Sequence, residues 1–377
     1  MIIYNSMIIW IAVLGIFNHL AMQTRRKPFV TNLEESQHKV SMFLAIFTFG
    51  YIIFWVGMRS GVADTRAYIT AFESYPSSLS TISQYWNFSE TKSPGFVTFN
   101  ILFKHFISTD YHVWLMTIAI LTGIPIMIIL RKRSENFFYS AFLFMTSLLF
   151  SWMLNGMRQF WAASLIFLVS GWIEKRKTIC FIIAVLFAST IHYTVLIMIP
   201  MYFIAVAKPF GKRVMLLMIL VLLAVVFLEP FIATMEKVLE ETAYSGATEQ
   251  FAYDDGVNPI RVLVMAVTPM IAFCGRKIIA QKNNAFINIC VNMSVICVGI
   301  YFLGIFTSGV LVGRLPVYFE LYNIILLPYL LKECFTKESS KIMFILCTVG
   351  FLGFYYLQTQ NYYYISEFTG LLSGWSI

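Results

Sequence analysis

Residues 175–213 read KRKTICFIIAVLFASTIHYTVLIMIPMYFIAVAKPFGKR, an apolar stretch between two basic clusters. Only 30 residues separate Lys177 from Lys208. Two helices of about 15 residues each would measure roughly 22 Å, which is short of a ~30 Å bilayer core. One long tilted helix would instead place one basic cluster outside and reverse every later segment. We therefore predict a short hairpin whose turn, at 190–193, lies below the outer surface and faces an outward-opening cavity, because non-helical backbone at that depth needs a polar or protein environment.

The rest of the chain has a similar composition. Of its 377 residues, 59% are hydrophobic and 12% are charged, whereas a soluble domain has about 25% charged residues. No polar stretch is long enough for a separate soluble domain, so we predict one polytopic membrane domain over residues 1–377. Basic residues follow the first apolar run, which is therefore predicted to be a retained span with its N-terminus outside and not a signal peptide.

The net charge of +8 indicates how the chain is oriented in the membrane and does not indicate a nucleic-acid partner. Six basic clusters interrupt the apolar runs, and placing all of them inside satisfies the positive-inside bias. They are 25–27 with Lys39, 131–133, 175–177, Lys208 with 212–213, 276–277 with Lys282, and Lys332 with Lys337 and Lys341. This alternation predicts an all-α bundle of about twelve transmembrane helices. The predicted spans are 7–22, 40–57, 111–130, 137–153, 157–173, 178–191, 193–207, 214–230, 260–275, 286–306, 316–331 and 342–357.

Two longer segments fall on the predicted outer side. The first, 59–110, contains two stretches, 63–74 and 94–106, that are too polar or too short to span a bilayer. We predict short interfacial helices there, the second with Pro94 near its start. The other segment, 231–259, is acidic and is predicted to be an outer loop that could act as a lid.

Five arginines lie on the predicted outer side: Arg59, Arg66, Arg158, Arg261 and Arg314. All except Arg66 are within a few residues of a span end, where a charge near the membrane core costs at least ~2.5 kcal/mol. Guanidinium groups suit diphosphate and carboxylate oxygens because they can donate two parallel hydrogen bonds. Each arginine alone could reach a lipid phosphate or pair with an acid. Four of them at separate span ends favour one shared anionic site.

The segment NGMRQ at 155–159 supplies further candidates for that site. Asn155, Arg158 and Gln159 are spaced i, i+3 and i+4, and they share a face if the helix begins early enough. The alternative is a helix N-terminus capped by Asn155. Both interpretations can hold, because helix N-termini also bind anions.

Three residues are candidates for acid–base chemistry. His192, in the predicted turn, is either a hydrogen-bonded turn residue or a group that transfers a proton or binds a ligand. Asp64, flanked by arginines and followed by Tyr68, is either a general base or their counter-ion. Glu320 follows Tyr318 on a predicted span, and an ionisable residue there is a functional candidate unless a nearby arginine neutralises it.

The sequence lacks the common signatures of nucleotide-binding and metal-binding sites. The chain has no GxxxxGK[ST] and no GxGxxG segment, so neither ATP nor a dinucleotide is expected. Its five histidines do not have zinc-binding spacing, and its six cysteines include no CxxC pair. We therefore predict no cofactor and no metal site.

In chain order, five short motifs resemble the EpsG-like family of bacterial polysaccharide polymerases, which are Wzy-type O-antigen and exopolysaccharide polymerases. The motifs are MRSGVADT at 58–65 with Tyr68, SPGF at 93–96, NGMRQ at 155–159, IHY at 191–193 and GRLPVYF at 313–319. The chain departs from the family at one place. Where the family often has an acid before the Pro/Gly-Phe/Tyr step, this chain has Lys92 and Ser93.

The resemblance implies a GT-C-like membrane glycosyltransferase on the periplasmic face of the bacterial inner membrane. It would transfer a growing glycan from undecaprenyl diphosphate to the next lipid-linked repeat unit, with inversion and without a metal. Further partners would be membrane lipids and a chain-length regulator protein. The alternatives are a flippase or transporter of the same lipid-linked oligosaccharides and an O-antigen ligase, which uses the same donor with another acceptor.

The resemblance also suggests roles for the candidate residues. The departing diphosphate needs fixed cations, which Arg158, Arg314, Arg59 and Arg261 would supply. Arg66, Gln159, Asn155, Tyr68 and Tyr318 would add contacts to the diphosphate or the glycan. The acceptor hydroxyl needs a base, and His192 or Asp64 is expected to act as one, with Glu320 as the next choice. His192 could instead donate a hydrogen bond to the diphosphate.

Overall fold

The computed structural model describes residues 2–24, 40–86, 91–227, 256–360 and 363–372. Within these ranges the chain is helical almost throughout. The α-helices are α1 Ile2–Thr24, α2 Met42–Gly57, α3 Thr65–Ser74, α4 Pro94–Phe106, α5 Tyr111–Arg133, α6 Phe137–Thr146, α7 Met157–Leu168, α8 Ser170–Glu174, α9 Thr178–Ser189, α10 Met198–Ala205, α11 Lys212–Val226, α12 Pro259–Cys274, α13 Arg276–Lys282, α14 Ala285–Ile305, α15 Val317–Glu333 and α16 Lys337–Thr359. The 3₁₀ segments are Leu79–Tyr85, Leu149–Met153 and Tyr193–Ile197, and two short strands, β1 Ile365–Ser366 and β2 Leu371–Leu372, follow.

Each of the twelve predicted spans coincides with a helix or with two consecutive helical segments. Among the described helices, α1, α5, α14 and α16 are long and apolar enough to cross a membrane alone. The bent pair of α12 and α13 makes a fifth if it is one span. The helical fold is therefore confirmed, with several apolar helices compatible with a membrane protein, whereas the number of crossings and the GT-C-like architecture stay predictions.

The predicted span 137–153 is broken near its middle. Helix α6 ends at Thr146, and Leu148 has a φ of 72°, a left-handed conformation that an α-helix cannot continue through. The 3₁₀ segment Leu149–Met153 follows, and Gly156, with a φ of 75°, leads into α7. Residues 147–156 therefore interrupt the α-helical path between α6 and α7 with a single 3₁₀ segment.

The predicted inside clusters meet at one end of the bundle. Ion pairs join Arg133 to Glu174, Lys332 to Glu135, and Lys282 to Glu333. These residues lie near the C-terminal ends of α5, α8, α13 and α15 or just beyond them. The clustering agrees with the predicted alternation of the segments, while the membrane face at which this end lies stays a prediction. The cluster at 25–27 and Lys39 lie outside the described residues.

The two predicted interfacial helices are observed as α3 and α4, and α4 has the predicted bounds. Phe72 of α3 stacks on Trp114 of α5 with ring centres 4.5 Å apart, and Phe103 of α4 packs against Phe72. Both helices are thus anchored to the bundle by aromatic contacts, and their position at a membrane surface stays a prediction. Of the predicted acidic loop, 231–255 lies outside the described residues.

The C-terminal strands pair back onto the segment that follows α2. Strand β1 runs antiparallel to β2. The backbone amide of Ser60 donates to the carbonyl of Ile365 at 2.8 Å, and the amide of Glu367 donates to the hydroxyl of Ser60 at 3.0 Å. Tyr364 donates to the carbonyl of Trp55 at 2.7 Å. These contacts close the end of α2 beneath a small two-stranded sheet.

Candidate functional site

A cavity of about 340 Å³ opens where several helices begin or end. Arg261 lies in the first turn of α12, Tyr301 in the last turns of α14, and Arg314 just before α15. The cavity is lined by these residues and by Ser151, Trp152, Asn155, Gly256, Val257, Asn258, Gly309, Val310, Gly313 and Gln358. Since α15 begins at the cavity and ends at the Lys332 ion pair, the cavity and the basic clusters lie at opposite ends of the bundle.

Two glycines in the lining of this cavity allow neighbouring backbone segments to pack closely. Gly256 has a φ of 72°, and a Cβ there would lie 2.7 Å from the carbonyl oxygen of Ile305. A Cβ on Gly313 would lie 2.5 Å from Val257 Cγ2 and 2.5 Å from the carbonyl oxygen of Gly309. Glycine is required at both positions because any side chain would push these segments apart. The backbone segments that carry Arg261 and Arg314 are therefore held in place by close packing around these glycines.

Two cations line this cavity, and a polar cluster links it to His192. Gln159, in the first turn of α7, donates to the backbone carbonyl of Arg314 at 3.0 Å and to Thr194 Oγ1 at 3.4 Å. Thr194 Oγ1 lies 2.8 Å from His192 Nδ1 and 2.8 Å from the hydroxyl of Tyr318. The structure thus brings together four residues that the sequence singled out separately, Gln159, His192, Arg314 and Tyr318, around Thr194.

The same cluster indicates which nitrogen of His192 carries a proton. If Tyr318 donates to Thr194 and Thr194 donates to His192 Nδ1, every hydroxyl in the chain of hydrogen bonds has an acceptor. In the reverse order, His192 Nδ1 donates to Thr194 and Thr194 donates to Tyr318, so the Tyr318 proton needs a different acceptor. We assign the proton to Nε2 on this hydrogen-bonding pattern, so the neutral ring offers one N–H donor.

Burial and two nearby arginines keep His192 neutral. The residue lies in the turn between α9 and the 3₁₀ segment Tyr193–Ile197. Burial, together with the smaller effect of the Arg158 and Arg314 guanidinium groups, lowers the pKa of His192 from 6.5 to about 3. The imidazole is therefore uncharged at neutral pH and a weak base, which suits a hydrogen-bond donor better than a proton acceptor.

Arg158 is the second arginine whose charge acts on His192. Its guanidinium is 5.5 Å from the ring centre of Tyr68 and 5.6 Å from that of Phe96. One terminal nitrogen reaches Ser93 Oγ at 3.5 Å, and Nε is buried without a hydrogen-bond partner among the described residues. Aromatic rings hold the cation through its faces, which leaves N–H donors available for an anion.

The SPGF motif reaches this site because α4 begins against the hairpin turn. The backbone amide of Gly95 donates to the carbonyl of Thr190 at 2.8 Å. A Cβ on Gly95 would lie 2.1 Å from Thr190 Oγ1, 2.7 Å from Thr190 Cβ and 3.1 Å from its backbone carbon. Glycine therefore permits the close approach that sets Ser93 and Phe96 beside Arg158.

We expect Gly95→Ala to destabilise the protein by about 1–3 kcal/mol, because the added methyl must displace Thr190 and the turn that carries His192. Thermal unfolding of the purified protein measures the effect. Gly350→Ala is the matched control, since nothing lies within 4 Å of a Cβ at this helical position and alanine there should be neutral or slightly stabilising. Equal melting temperatures for the two variants would contradict the described contact of α4 with the turn.

Several predicted site residues lie elsewhere. Arg59 is 1% exposed and donates to Thr65 Oγ1 at 2.9 Å, to the carbonyl of Val56 at 2.6 Å and to the sulfur of Met157 at 3.4 Å. It does not line the cavity. These contacts tie the end of α2 to α3 and α7, which is a structural role.

Asp64 and Arg66 are at the start of α3. Arg66 is exposed, and Asp64 is half-buried. In the described part of the chain, no hydrogen bond or ion pair engages the Asp64 carboxylate, so the predicted ion pair with its flanking arginines is not observed. Asp64 lies one turn before Tyr68, which contacts Arg158. The two residues are therefore on one face of α3.

Glu320 lies below the cavity floor. It is 1% exposed, and Oε2 accepts a hydrogen bond of 2.8 Å from Tyr301, which lines the cavity. Arg261 is close enough to act on the carboxylate electrostatically, and its guanidinium lies 5.9 Å from the Tyr301 ring centre. Glu320 can therefore influence the cavity through Tyr301 without reaching it.

Among the site residues that the sequence analysis missed, Thr194 and Tyr301 make hydrogen bonds to predicted site residues. Thr194 connects His192 to Tyr318, and its position two residues after the histidine is the only signal that could have found it. Tyr301 lies in an apolar stretch rich in aromatic residues, where nothing marks it as a cavity residue.

Comparison with known proteins supports one assignment. No curated protein and no solved structure matches the chain. The model of the EpsG family matches residues 42–369. The match covers all five motifs, including the residues gathered around His192 and the Arg314 segment. The chain therefore belongs to the EpsG family, as its sequence motifs predicted.

Proposed function

We propose that this membrane protein polymerises lipid-linked oligosaccharide repeat units into a polysaccharide. The donor would be a glycan on undecaprenyl diphosphate and the acceptor the next lipid-linked repeat unit. Membership of the EpsG family favours a polymerase-type role in polysaccharide synthesis. The observation that carries the proposal is the grouping of Arg158, Arg314 and His192, with Arg261 and Arg314 in one cavity.

The chemistry requires a site for a diphosphate leaving group. The acceptor hydroxyl oxygen bonds to the anomeric carbon while the bond from that carbon to the diphosphate oxygen breaks, which inverts the configuration. The diphosphate leaves with the electron pair, and its charge must be balanced by preorganised donors. Arg314 and Arg261 would bind it from the cavity walls, Arg158 from the side of α7, and His192 through its Nε2–H.

The proton of the acceptor hydroxyl needs a base. His192 is poorly suited, because its pKa is about 3 and its Nδ1 is occupied by Thr194. Glu320 is covered by Tyr301. Asp64 is the best of the three candidates, since its half-buried carboxylate is unpaired within the described residues and begins the helix whose Tyr68 lies beside Arg158.

The site would face the periplasm from the inner membrane. The basic clusters lie at the end of the bundle opposite the cavity. The positive-inside bias assigns that basic end to the cytoplasm, so the cavity would open outside, where a polyprenyl diphosphate carrying a finished repeat unit is found. A chain-length regulator would be a further partner on that side.

Reconstitution with purified lipid-linked repeat units tests the function. We expect a ladder of longer lipid-linked glycans, separated by gel electrophoresis after mild acid release. Repeat units of unchanged length that move across the vesicle membrane would identify a flippase. Transfer only onto an added lipid A core would identify a ligase. Either result would overturn the polymerase proposal.

The role of His192 has its own test. Because glutamine can replace an N–H donor but cannot act as a base, we expect His192→Gln to keep polymerisation within about tenfold of the wild type. We expect His192→Phe to lower it by about 10²-fold or more, the usual cost of losing one such donor. The pH dependence of the wild-type rate should show no inflection near 6.5. An inflection there that His192→Gln removes would make His192 the base.

A further inference from the structure

A separate, small and largely enclosed chamber of about 10 Å³ lies beside Glu320, away from the cation-lined cavity. It lies where α6 ends and the break at residues 147–156 begins. Its lining includes Ser147 from the end of α6 and Glu320 and Asn323 from α15. The remaining lining residues are Leu143, Met265, Thr268, Ile324, Leu327 and Phe351. A volume of 10–15 Å³ on this scale is roughly the space that one water molecule needs.

Three buried polar atoms of this chamber lack a hydrogen-bond partner among the described residues. They are Ser147 Oγ, Glu320 Oε1 and Asn323 Oδ1. Their side chains are 2%, 1% and 6% exposed, so bulk solvent does not solvate them. Buried polar atoms are nearly always paired with protein or with ordered water. Three unpaired atoms around one chamber indicate that a small polar molecule completes it.

The chemistry of the three atoms selects the occupant. A water molecule can donate one hydrogen bond to Glu320 Oε1 and one to Asn323 Oδ1, and it can accept the proton of Ser147 Oγ. All three atoms are then satisfied by about three hydrogen bonds, the usual number for a buried water. A monovalent cation is disfavoured, because Arg261 already acts on the Glu320 carboxylate and a second positive charge would have no counter-ion among the chamber residues.

We infer that this chamber binds one water molecule, and that Glu320 and this water together position Tyr301 on the cavity wall. Glu320 Oε2 receives the Tyr301 hydroxyl at 2.8 Å, while Oε1 would be fixed by the water. Without the water, the carboxylate would have an unsatisfied oxygen and could rotate away from Tyr301. Glu320 is thus a positioning residue, and it acts on the bound anion only through Tyr301 and Arg261. This second part rests on the proposed function, whereas the water site does not.

A density map of the full chain in nanodiscs, at a resolution that shows ordered water, tests the site directly. We expect one peak within hydrogen-bond distance of all three atoms, both in sodium buffer and in buffer with N-methylglucamine as the cation. An empty chamber would overturn the proposal. A peak that disappears without sodium would identify a cation and would also overturn it.

Two substitutions at Ser147 test the positioning role. Ser147→Val fills the chamber with methyl groups and excludes the water. Ser147→Ala leaves room for the water, which keeps Glu320 and Asn323 as hydrogen-bond partners. We expect Ser147→Val to weaken the binding of inorganic pyrophosphate by about tenfold, since a hydrogen bond to a charged group is lost, and Ser147→Ala to stay close to wild type. Equal affinities for the two variants would overturn the positioning role. If the wild type itself binds no pyrophosphate, the proposed function fails, and the density map still decides the water site.

Discussion

Replacing Arg314 by alanine is expected to lower the rate of polymerisation by about 10²–10³-fold, the range seen when a preorganised donor to a developing negative charge is removed. Arg314 lines the cavity beside Arg261, and its charge also acts on His192. Its backbone carbonyl is held by Gln159, so the alanine variant should fold while it lacks the guanidinium. The rate of ladder formation with purified lipid-linked repeat units measures the loss.

Two further variants separate charge from shape. Arg314→Lys keeps the charge but loses the planar fork, so an intermediate rate is expected. Arg276→Ala serves as the matched control, because Arg276 is exposed at the basic end of the bundle and should leave the rate unchanged. If Arg314→Ala polymerises at the wild-type rate and melts at the wild-type temperature, the cavity does not take part in the reaction.

Replacing Arg59 by alanine is expected to destabilise the fold by about 3 kcal/mol or more, because the change leaves a void and unpaired buried acceptors. Burial lowers the pKa of Arg59 to about 10, so the side chain remains cationic at neutral pH. Its donors bind Val56, Thr65 and Met157. The expected observation is a much smaller yield of folded protein and a lower melting temperature in detergent.

The sequence assigned Arg59 to diphosphate binding, and a second variant distinguishes the two roles. Arg59→Met fills much of the same space without donors, so it should fold better than Arg59→Ala. The folded fraction of Arg59→Met should bind inorganic pyrophosphate as tightly as the wild type. If Arg59→Met melts at the wild-type temperature but no longer binds pyrophosphate, Arg59 contributes to the anionic site.

The helical segments were predictable because two strong signals coincide. Long apolar runs and the basic clusters between them placed twelve segments, each of which is a helix or a broken helix. The start of α4 followed from a proline at the first helical position. The hairpin turn at His192 was located by length alone, from the distance between Lys177 and Lys208.

The details of the site were less predictable because they depend on tertiary contacts. The sequence could not show that Arg59 is buried against α3 while Arg158 and Arg314 are close enough to act on His192, since all three arginines follow the same pattern at span ends. The break at Leu148 has no proline or glycine to announce it. The chamber lined by Ser147 lies next to that break, and so it was also missed.

The small C-terminal sheet affects how the topology of this chain can be mapped. Reporter enzymes are often fused to a series of C-terminally shortened proteins. Any fusion that stops before Tyr364 removes both the Ile365 carbonyl that pairs with Ser60 and the tyrosine that closes over Trp55. The reporter would then be attached to a chain whose α2 end is uncovered beside Arg59. Reporters inserted into an otherwise intact chain keep this seal, and they are the safer way to determine which end of the bundle faces the cytoplasm.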